Sequence, residues 1–276
     1  MENTAGALTP RSQISKVKYH TCVVTAAGIE FRAVARLLAG GAAGRADGLP
    51  VWRGRRGGRE VTVCRSEIGA AGFATRLAAH LDRVRYDELV VIGLAGGLDP
   101  ALRTGEAVVY DRCHGETNSR KKSSPRDENA SIACDPDLSA EVEAAVRAAG
   151  HPCRRGAGVT VGAVVAASRA KLELGTRYGA AAVDMETYGI AETARRTGIP
   201  LAALRVVLDE AGADIPDFNR ALRADGRLDH WRLTRVLLAR PLATAGFLAN
   251  LRRAMASLER VSGAALSRSK PAPPHS

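Results

Sequence analysis

What most limits the folding of this chain is a series of short segments made almost wholly of apolar and β-branched residues, at 19–25, 89–92, 158–165, 180–183 and 201–207. A strand with one wet face alternates in polarity. A strand that is apolar on both faces must be covered on both, which is the condition of a sheet held between helices. The intervening segments supply those helices. Apolar residues return at helical spacing from Ile29 through Ala33, Leu37 and Leu38, and within 69–84 from Ala70 through Ala74, Leu77 and Leu81. The stretches 136–149, 168–178 and 185–197 read as further helices. Residues 50–53 and 60–65 flank a Gly/Arg turn as a hairpin, and 106–110 make another strand. Strands and helices alternate without an internal repeat, so the expected class is α/β.

The chain has 276 residues, 46% of them hydrophobic, enough for one substantial core. Its net charge of +11 invites a nucleic-acid reading, but aromatics are only 4%. That is too few to build base-stacking platforms, and no nucleic-acid partner is expected. Residues 1–18 are polar and lack the apolar run of a secretory leader, so they read as a flexible N-terminal extension. The longest apolar run, 89–98, is about half the length that crosses a bilayer. Cys22, Cys64, Cys113, Cys134 and Cys153 are scattered, and His114, His151 and His230 show no ligand spacing. The expectation is reduced thiols in a cytoplasmic protein, with no metal and no cofactor. From Arg112 to Asp135 the sequence turns polar around Arg120-Lys121-Lys122-Ser123-Ser124-Pro125, as an exposed insertion would.

Positive charge concentrates near the C-terminus. Residues 220–260 hold nine arginines against Asp225, Asp229 and Glu259, so six of the net eleven positive charges lie there. Beyond Pro241, Thr244, Phe247, Leu248, Leu251, Met255 and Leu258 fall on one helical face, with Arg252, Arg253 and Arg260 elsewhere. Such a segment, 231–260, fits peripheral contact with the inner, anionic face of a membrane. It fits equally a helix whose apolar stripe packs on the protein's own core. Residues 263–276, with Pro271, Pro273 and Pro274, read as a flexible tail.

In sheets of this kind ligands bind beyond the carboxyl ends of the strands. Three acids stand at such positions: Glu30, Glu186 and Asp209. Gly93, Gly96 and Gly97 follow a central strand, where missing side chains let backbone approach a ligand closely. The spacing of Gly93-Leu94-Ala95-Gly96-Gly97 is not that of a dinucleotide fingerprint, and neither a P-loop nor a serine nucleophile elbow is present.

Three motifs occur together and in order: Gly93-Leu94-Ala95-Gly96-Gly97-Leu98, then Ala182-Val183-Asp184-Met185-Glu186-Thr187, then Leu204-Arg205-Val206-Val207-Leu208-Asp209-Glu210-Ala211. They resemble the purine nucleoside phosphorylase/uridine phosphorylase superfamily, and their spacing is most similar to the 5′-methylthioadenosine/S-adenosylhomocysteine nucleosidases. Ile215-Pro216-Asp217, Ala224-Asp225-Gly226-Arg227 and Leu237-Leu238-Ala239-Arg240-Pro241 resemble the hopanoid-associated branch, the adenosylhopane nucleosidases, which release adenine from adenosylhopane. The resemblance implies a three-layer α/β/α sandwich around a central mixed, barrel-like sheet. It also implies a catalytic domain at 19–218, followed by a basic amphipathic helical extension at 219–262, and a homo-oligomeric assembly.

The same resemblance assigns roles. Asp209 would protonate the leaving base, Glu186 would accept hydrogen bonds from both ribose hydroxyls with Met185 packed on the sugar, and Glu30 would orient and deprotonate the attacking water. Gly96 and Val164 would line the substrate site. An acid at Asp209 needs a raised pKa, which burial at a strand end can supply. Asp184 reads as a structural strand-end acid, and Arg205 as a partner for a buried acid. The chain departs from the family pattern at Leu208, where serine is usual, at Val164, where an aromatic would stack on adenine, and at Leu94, in place of a small hydroxyl residue. The expected site is correspondingly more apolar. Phosphorolysis would need arginines near the glycine loop; the strand before it reads Leu89-Val90-Val91-Ile92, and Arg32 and Arg65 are the nearest substitutes. The expected reaction is therefore hydrolysis of a lipid nucleoside, adenosylhopane. The alternative is a phosphorolytic enzyme with phosphate as co-substrate, or a methylthioadenosine-type nucleosidase acting on soluble nucleosides.

Overall fold

The computed structural model describes residues 19–66, 72–116, 130–221 and 241–268. The first half contains β1 (His20–Thr25), α1 (Gly28–Ala35), β2 (Ala39–Ala46), β3 (Leu49–Arg56), β4 (Arg59–Arg65), α2 (Phe73–Arg83), β5 (Glu88–Gly97) and β6 (Ala107–Gly115). The second contains β7 (Ser131–Ala133), α3 (Pro136–Ala148), β8 (Cys153–Thr160), α4 (Ser168–Tyr178), β9 (Ala180–Asp184), α5 (Thr187–Thr197), β10 (Leu201–Asp209), a 3-10 turn (Phe218–Ala221) and α6 (Pro241–Ser267).

The apolar segments form the centre. β5 pairs with both β9 and β10, and β10, β6, β8 and β9 pair in sequence, so these five strands close into a barrel. From β5 the sheet continues outward through β1, β4, β3 and β2. The barrel is mixed: β10 runs parallel to β5 and antiparallel to β6, while β9 runs antiparallel to β5. Helices cover both faces. Leu77 and Leu81 of α2 and Ile190 and Ala194 of α5 bury against one side, whereas Val34 of α1, Val142 of α3 and Leu258 and Val261 of α6 bury against the other. This is the α/β sandwich around a barrel-like sheet implied by the sequence.

Several boundaries differ from the sequence reading, each for a local reason. β2, with the sequence AGGAAGRA, carries no strand signal of its own and exists because the β3–β4 hairpin extends it a template. In that hairpin Gly57 and Gly58 both take positive φ, as a two-residue turn between right-twisted strands requires. The glycine motif is strand and not a loop after it, since Gly96 and Gly97 pair with Val183 and Ala182. β8 ends at Thr160, so residues 161–165, expected as strand, leave the sheet. The expected exposed insertion begins and ends in paired strand, with Cys113, Ile132 and Cys134 buried; its centre, 117–129, lies outside the described residues. All five cysteines are buried free thiols.

α6 reaches Ser267, so residues 263–267, assigned to a flexible tail, are helical. Its second half packs Ala254, Leu258, Val261, Ala265 and Leu266 into the core. Arg268 then donates to buried Glu88, which also accepts from Thr21 Oγ1 at 2.7 Å and Arg59 Nη1 at 2.9 Å. That cluster ties the last described residue to the start of β5. The expected extension 1–18, the arginine-rich stretch 222–240 and the rest of the tail lie outside the described residues. Among the described residues no helix is long and apolar enough to cross a membrane. Because Leu258 is fully buried while Leu248 is 44% exposed, Leu258→Ala is expected to cost about 2–5 kcal/mol of stability in thermal unfolding. Leu248→Ala should stay within about 0.5 kcal/mol of the parent protein.

Candidate active site

β1, β5 and β10 are parallel neighbours and bring their carboxyl ends to one rim. The chain leaving β1 turns at once into α1. The Ala26 and Ala27 amides donate to Glu30 Oε2 at 3.0 and 2.8 Å, and the Leu94 amide donates to Oε1 at 2.8 Å. Three backbone donors therefore fix a carboxylate that is only 4% exposed. Burial raises the Glu30 pKa, with Arg205 and the three amides opposing, and the net direction is upward. Gly93 is required here, because a Cβ would stand 2.4 Å from Arg205 Nη1 and 3.0 Å from Glu30 Oε1.

Arg205 is itself 1% exposed. Its Nε lies 3.3 Å from Asp184 Oδ2 and 3.2 Å from Thr187 Oγ1, and Nη2 lies 3.8 Å from Glu186 Oε2. Asp184 further accepts from Thr160 Oγ1 at 2.8 Å, from the Glu186 and Thr187 amides at 3.0 and 2.9 Å, and from the Thr187 hydroxyl. Burial pushes Asp184 up, but Arg205 and these donors outweigh it and hold the group below the ordinary carboxylate range. Asp184 is thus a structural anchor, as its strand-end position indicated, and Arg205 is its partner.

Glu186 is the residue at the N-terminal boundary of α5, yet its side chain makes no capping bond. It keeps 13% of its side chain exposed, toward the cavity. Burial, opposed by Arg205 and reinforced by Asp184 and Glu30, lifts its pKa to about 7. At the end of β10 the register against β5 slips between Val207 and Asp209. This bulge breaks the alternation of faces, so that Leu208 and Asp209 both line the cavity. Asp209 caps no helix, since an irregular segment and not a helix follows it. Its Oδ2 accepts from Lys171 Nζ, a fully buried ammonium of α4. Burial raises the Asp209 pKa, Lys171 opposes, and the net direction is upward.

These acids surround a cavity of about 460 Å³. Glu30, Glu186, Asp209, Met185, Gly96 and Val164 all line it. Val164 sits there on a loop and not on a strand, held by Asn219, whose side chain bonds the Val164 amide and carbonyl at 2.8 Å each. Asp184 lines it as well, and the remaining walls are apolar: Leu94, Val161, Val165 and Val183 from the barrel side, Ile215 and Phe218 from the segment after β10, and Phe247, Leu248 and Leu251 from the first turns of α6. The Phe218 and Phe247 rings meet at 4.9 Å. Arg32 and Arg65 converge beside Gly28 and do not line the cavity; among its described lining residues there is no arginine or lysine.

Sequence reasoning missed Lys171, Thr187, Asn219 and the aromatic wall. Only Lys171 left a trace. In α4 it is fully buried while its neighbour Leu172 is 40% exposed, an inversion that shows in the sequence as a helix without a clean apolar stripe.

The Phosphorylase superfamily profile matches residues 20–237 of this chain. Among solved structures, the 5′-methylthioadenosine/S-adenosylhomocysteine nucleosidase of Neisseria meningitidis, in complex with methylthio-immucillin-A, is similar with a TM-score of 0.70 at 19% identity, covering 90% of this chain and 98% of that one. Futalosine hydrolase of Helicobacter pylori gives 0.64 at 17% identity, covering 86% and 99%. A methylthioadenosine/S-adenosylhomocysteine nucleosidase of Colwellia psychrerythraea, in complex with adenine, gives 0.62 at 18% identity, covering 89% and 97%.

The raised pKa of Glu186 has a measurable consequence for stability. Its ordinary value of 4.5 becomes about 7 in the fold, so the folded state holds the proton more tightly. The associated stability is complete below 4.5 and is lost as pH rises through about 7. Glu186→Gln, uncharged throughout, is expected to melt above the parent protein at about pH 8, with the gap closing toward about pH 5. A gap independent of pH would exclude this titration.

Proposed function

The chain belongs to the phosphorylase superfamily, and on that premise we propose that it is a nucleosidase that hydrolyses the N-glycosidic bond of an adenosine derivative with a large apolar 5′ substituent, releasing adenine. Adenosylhopane is the substrate favoured by the C-terminal motifs. The observation that carries this reading is the composition of the cavity: Glu30, Glu186 and Asp209 within walls that are otherwise almost wholly apolar, and no arginine or lysine among the described lining residues. A phosphate co-substrate would need cationic donors. Water needs only a base, which Glu30 supplies.

Bond cleavage places positive charge on the sugar and negative charge on the departing base. Asp209, protonated, gives its proton to purine N7 as the C1′–N9 electron pair passes to the base. Adenine leaves neutral and Asp209 becomes a carboxylate. Water bonds to C1′ and its proton goes to Glu30, whose raised pKa makes it a competent acceptor. Proton exchange between Glu30 and Asp209 through solvent restores the starting state. Glu186 accepts from the two ribose hydroxyls, which favours its ionised form on substrate binding.

In this reading residues 19–218 carry the chemistry, and the extension 219–262 supplies a lipid-facing wall through the first turns of α6. Ile29, 39% exposed, and Leu248, 44% exposed, stand on the apolar lining with Phe247 and Leu251. Arg252, Arg253 and Arg260 are exposed on the same helix, which supports peripheral contact with an anionic membrane surface through 231–260. Because the second half of α6 packs on the core, the proposed membrane contact concerns the apolar residues of its first turns.

Chromatography of reactions with adenosylhopane and with methylthioadenosine, each with and without phosphate, tests the proposal. The expected result is adenine from adenosylhopane independent of phosphate, with Asp209→Asn lowering kcat by about 10²–10⁴-fold. Strict phosphate dependence would overturn hydrolysis. Preference for methylthioadenosine would retain the nucleosidase and discard the lipid substituent.

A further inference from the structure

Lys171 is fully buried in the first turns of α4, and the reaction described above makes no use of it. Lysine is almost never buried completely unless paired. Its Nζ donates to Asp209 Oδ2, to the Glu210 carbonyl at 3.2 Å and to the Ala213 carbonyl at 2.7 Å. One carboxylate and two carbonyl oxygens match the three protons of an ammonium. The contact fixes the Asp209 side chain and the turn that follows β10 together. It occupies only Oδ2, and no described residue donates a hydrogen bond to Oδ1, while Asp209 lines the cavity.

We propose that Lys171 is the positioning residue that aims Asp209 and keeps it acidic enough to surrender its proton to the base. The inference rests on the assignment of Asp209 as the acid. A buried carboxyl alone would hold its proton too strongly, and the carboxylate left after transfer would stand unpaired in an apolar cavity. Lys171 corrects both faults. Its charge opposes the effect of burial on Asp209 and stabilises the carboxylate once the proton has gone.

Other charged groups around the site do not replace it. Glu30 enters from α1, and Asp184 and Glu186 from the β9–α5 turn. Their negative charge would make Asp209 a weaker acid. Arg205, on the same strand, is engaged by Asp184 and Thr187. β5 offers only Gly96 and Gly97 at this point. Glu210 faces Arg103 at 3.7 Å, Asp214 accepts from the Ser168 amide, and Asp217 accepts from the Asn219 amide.

The test compares Lys171→Gln, which removes the charge but keeps donors, with Lys171→Arg, which keeps the charge. Two readouts are taken: the pH profile of kcat/KM for adenine release, from whichever of adenosylhopane and methylthioadenosine the parent protein turns over faster, and the 13C NMR titration of the Asp209 carboxyl, assigned through Asp209→Asn. In Lys171→Gln, Asp209 is expected to titrate at higher pH than in the parent protein. The alkaline limb of the profile should move up with it, and kcat should fall roughly tenfold or more with KM little changed. Lys171→Arg should restore both. An unmoved or lowered titration in Lys171→Gln, or failure of Lys171→Arg to restore, overturns the proposal. Should Lys171→Gln not fold, Lys171→Arg decides by itself: an Asp209 titration and a kcat close to those of the parent protein support the proposal, and loss of either overturns it. A parent protein that releases no adenine from methylthioadenosine or adenosylhopane refutes the nucleosidase reading instead, and the carboxyl titration still reports on Lys171.

Discussion

One buried guanidinium holds the site together. Arg205 lies mid-way along β10, where water cannot reach it, and draws Asp184, Thr187 and the neighbourhood of Glu186 onto the barrel. A charge in that position is stable only if its donors are taken up. Asp184 does so, and in turn accepts from the amides of residues 186 and 187, setting the turn from which Glu186 projects. Arg205 also faces Glu30 across Gly93. The turn that carries Glu186 therefore follows from one interaction between a central strand and a strand-end carboxylate, and the same buried charge faces Glu30.

The cavity separates roles that chemically similar groups could share. Asp184 is held ionised by four donors and Arg205. Glu30, Glu186 and Asp209 are pushed upward by burial against opposing contacts that differ in part: Arg205 and three backbone amides for Glu30, Arg205 at longer range for Glu186, and Lys171 for Asp209. Asp184 thereby shifts in the opposite direction from the other three acids, although all four line one cavity. The surrounding apolar wall strengthens these differences, because charge interactions are less screened away from water.

Much of the framework was legible in the sequence. The segments at 19–25, 89–92 and 201–207 became β1, β5 and β10, and Glu30, Glu186 and Asp209 do meet at one cavity. Where the reading failed, local signals were weak or misleading. β2 contains no branched residue to announce a strand. The glycines at 93–97 look like a loop but are needed inside a strand, where a Cβ at Gly93 would strike Arg205. Residues 161–165 have strand composition, yet Val164 among them is held by Asn219, and Val161, Ala163, Val164 and Val165 wall the cavity.

Periodicity and composition report how exposed each residue is on average over its own segment, and that sufficed for the α/β class, the order of strands and helices, and the strand ends where acids gather. They say nothing of which polar groups become mutual partners. The Glu30–Leu94 bond joins residues 64 apart, Lys171 and Asp209 are 38 apart, and Arg268 reaches Glu88 across 180 residues. Those pairs exist only once the barrel has closed and α6 has returned along its outer face. Closure removes water from them, and a polar group without water must find a partner wherever the fold puts one. That is why the acids could be named from the sequence, while the contacts that set their protonation were decided by the tertiary structure.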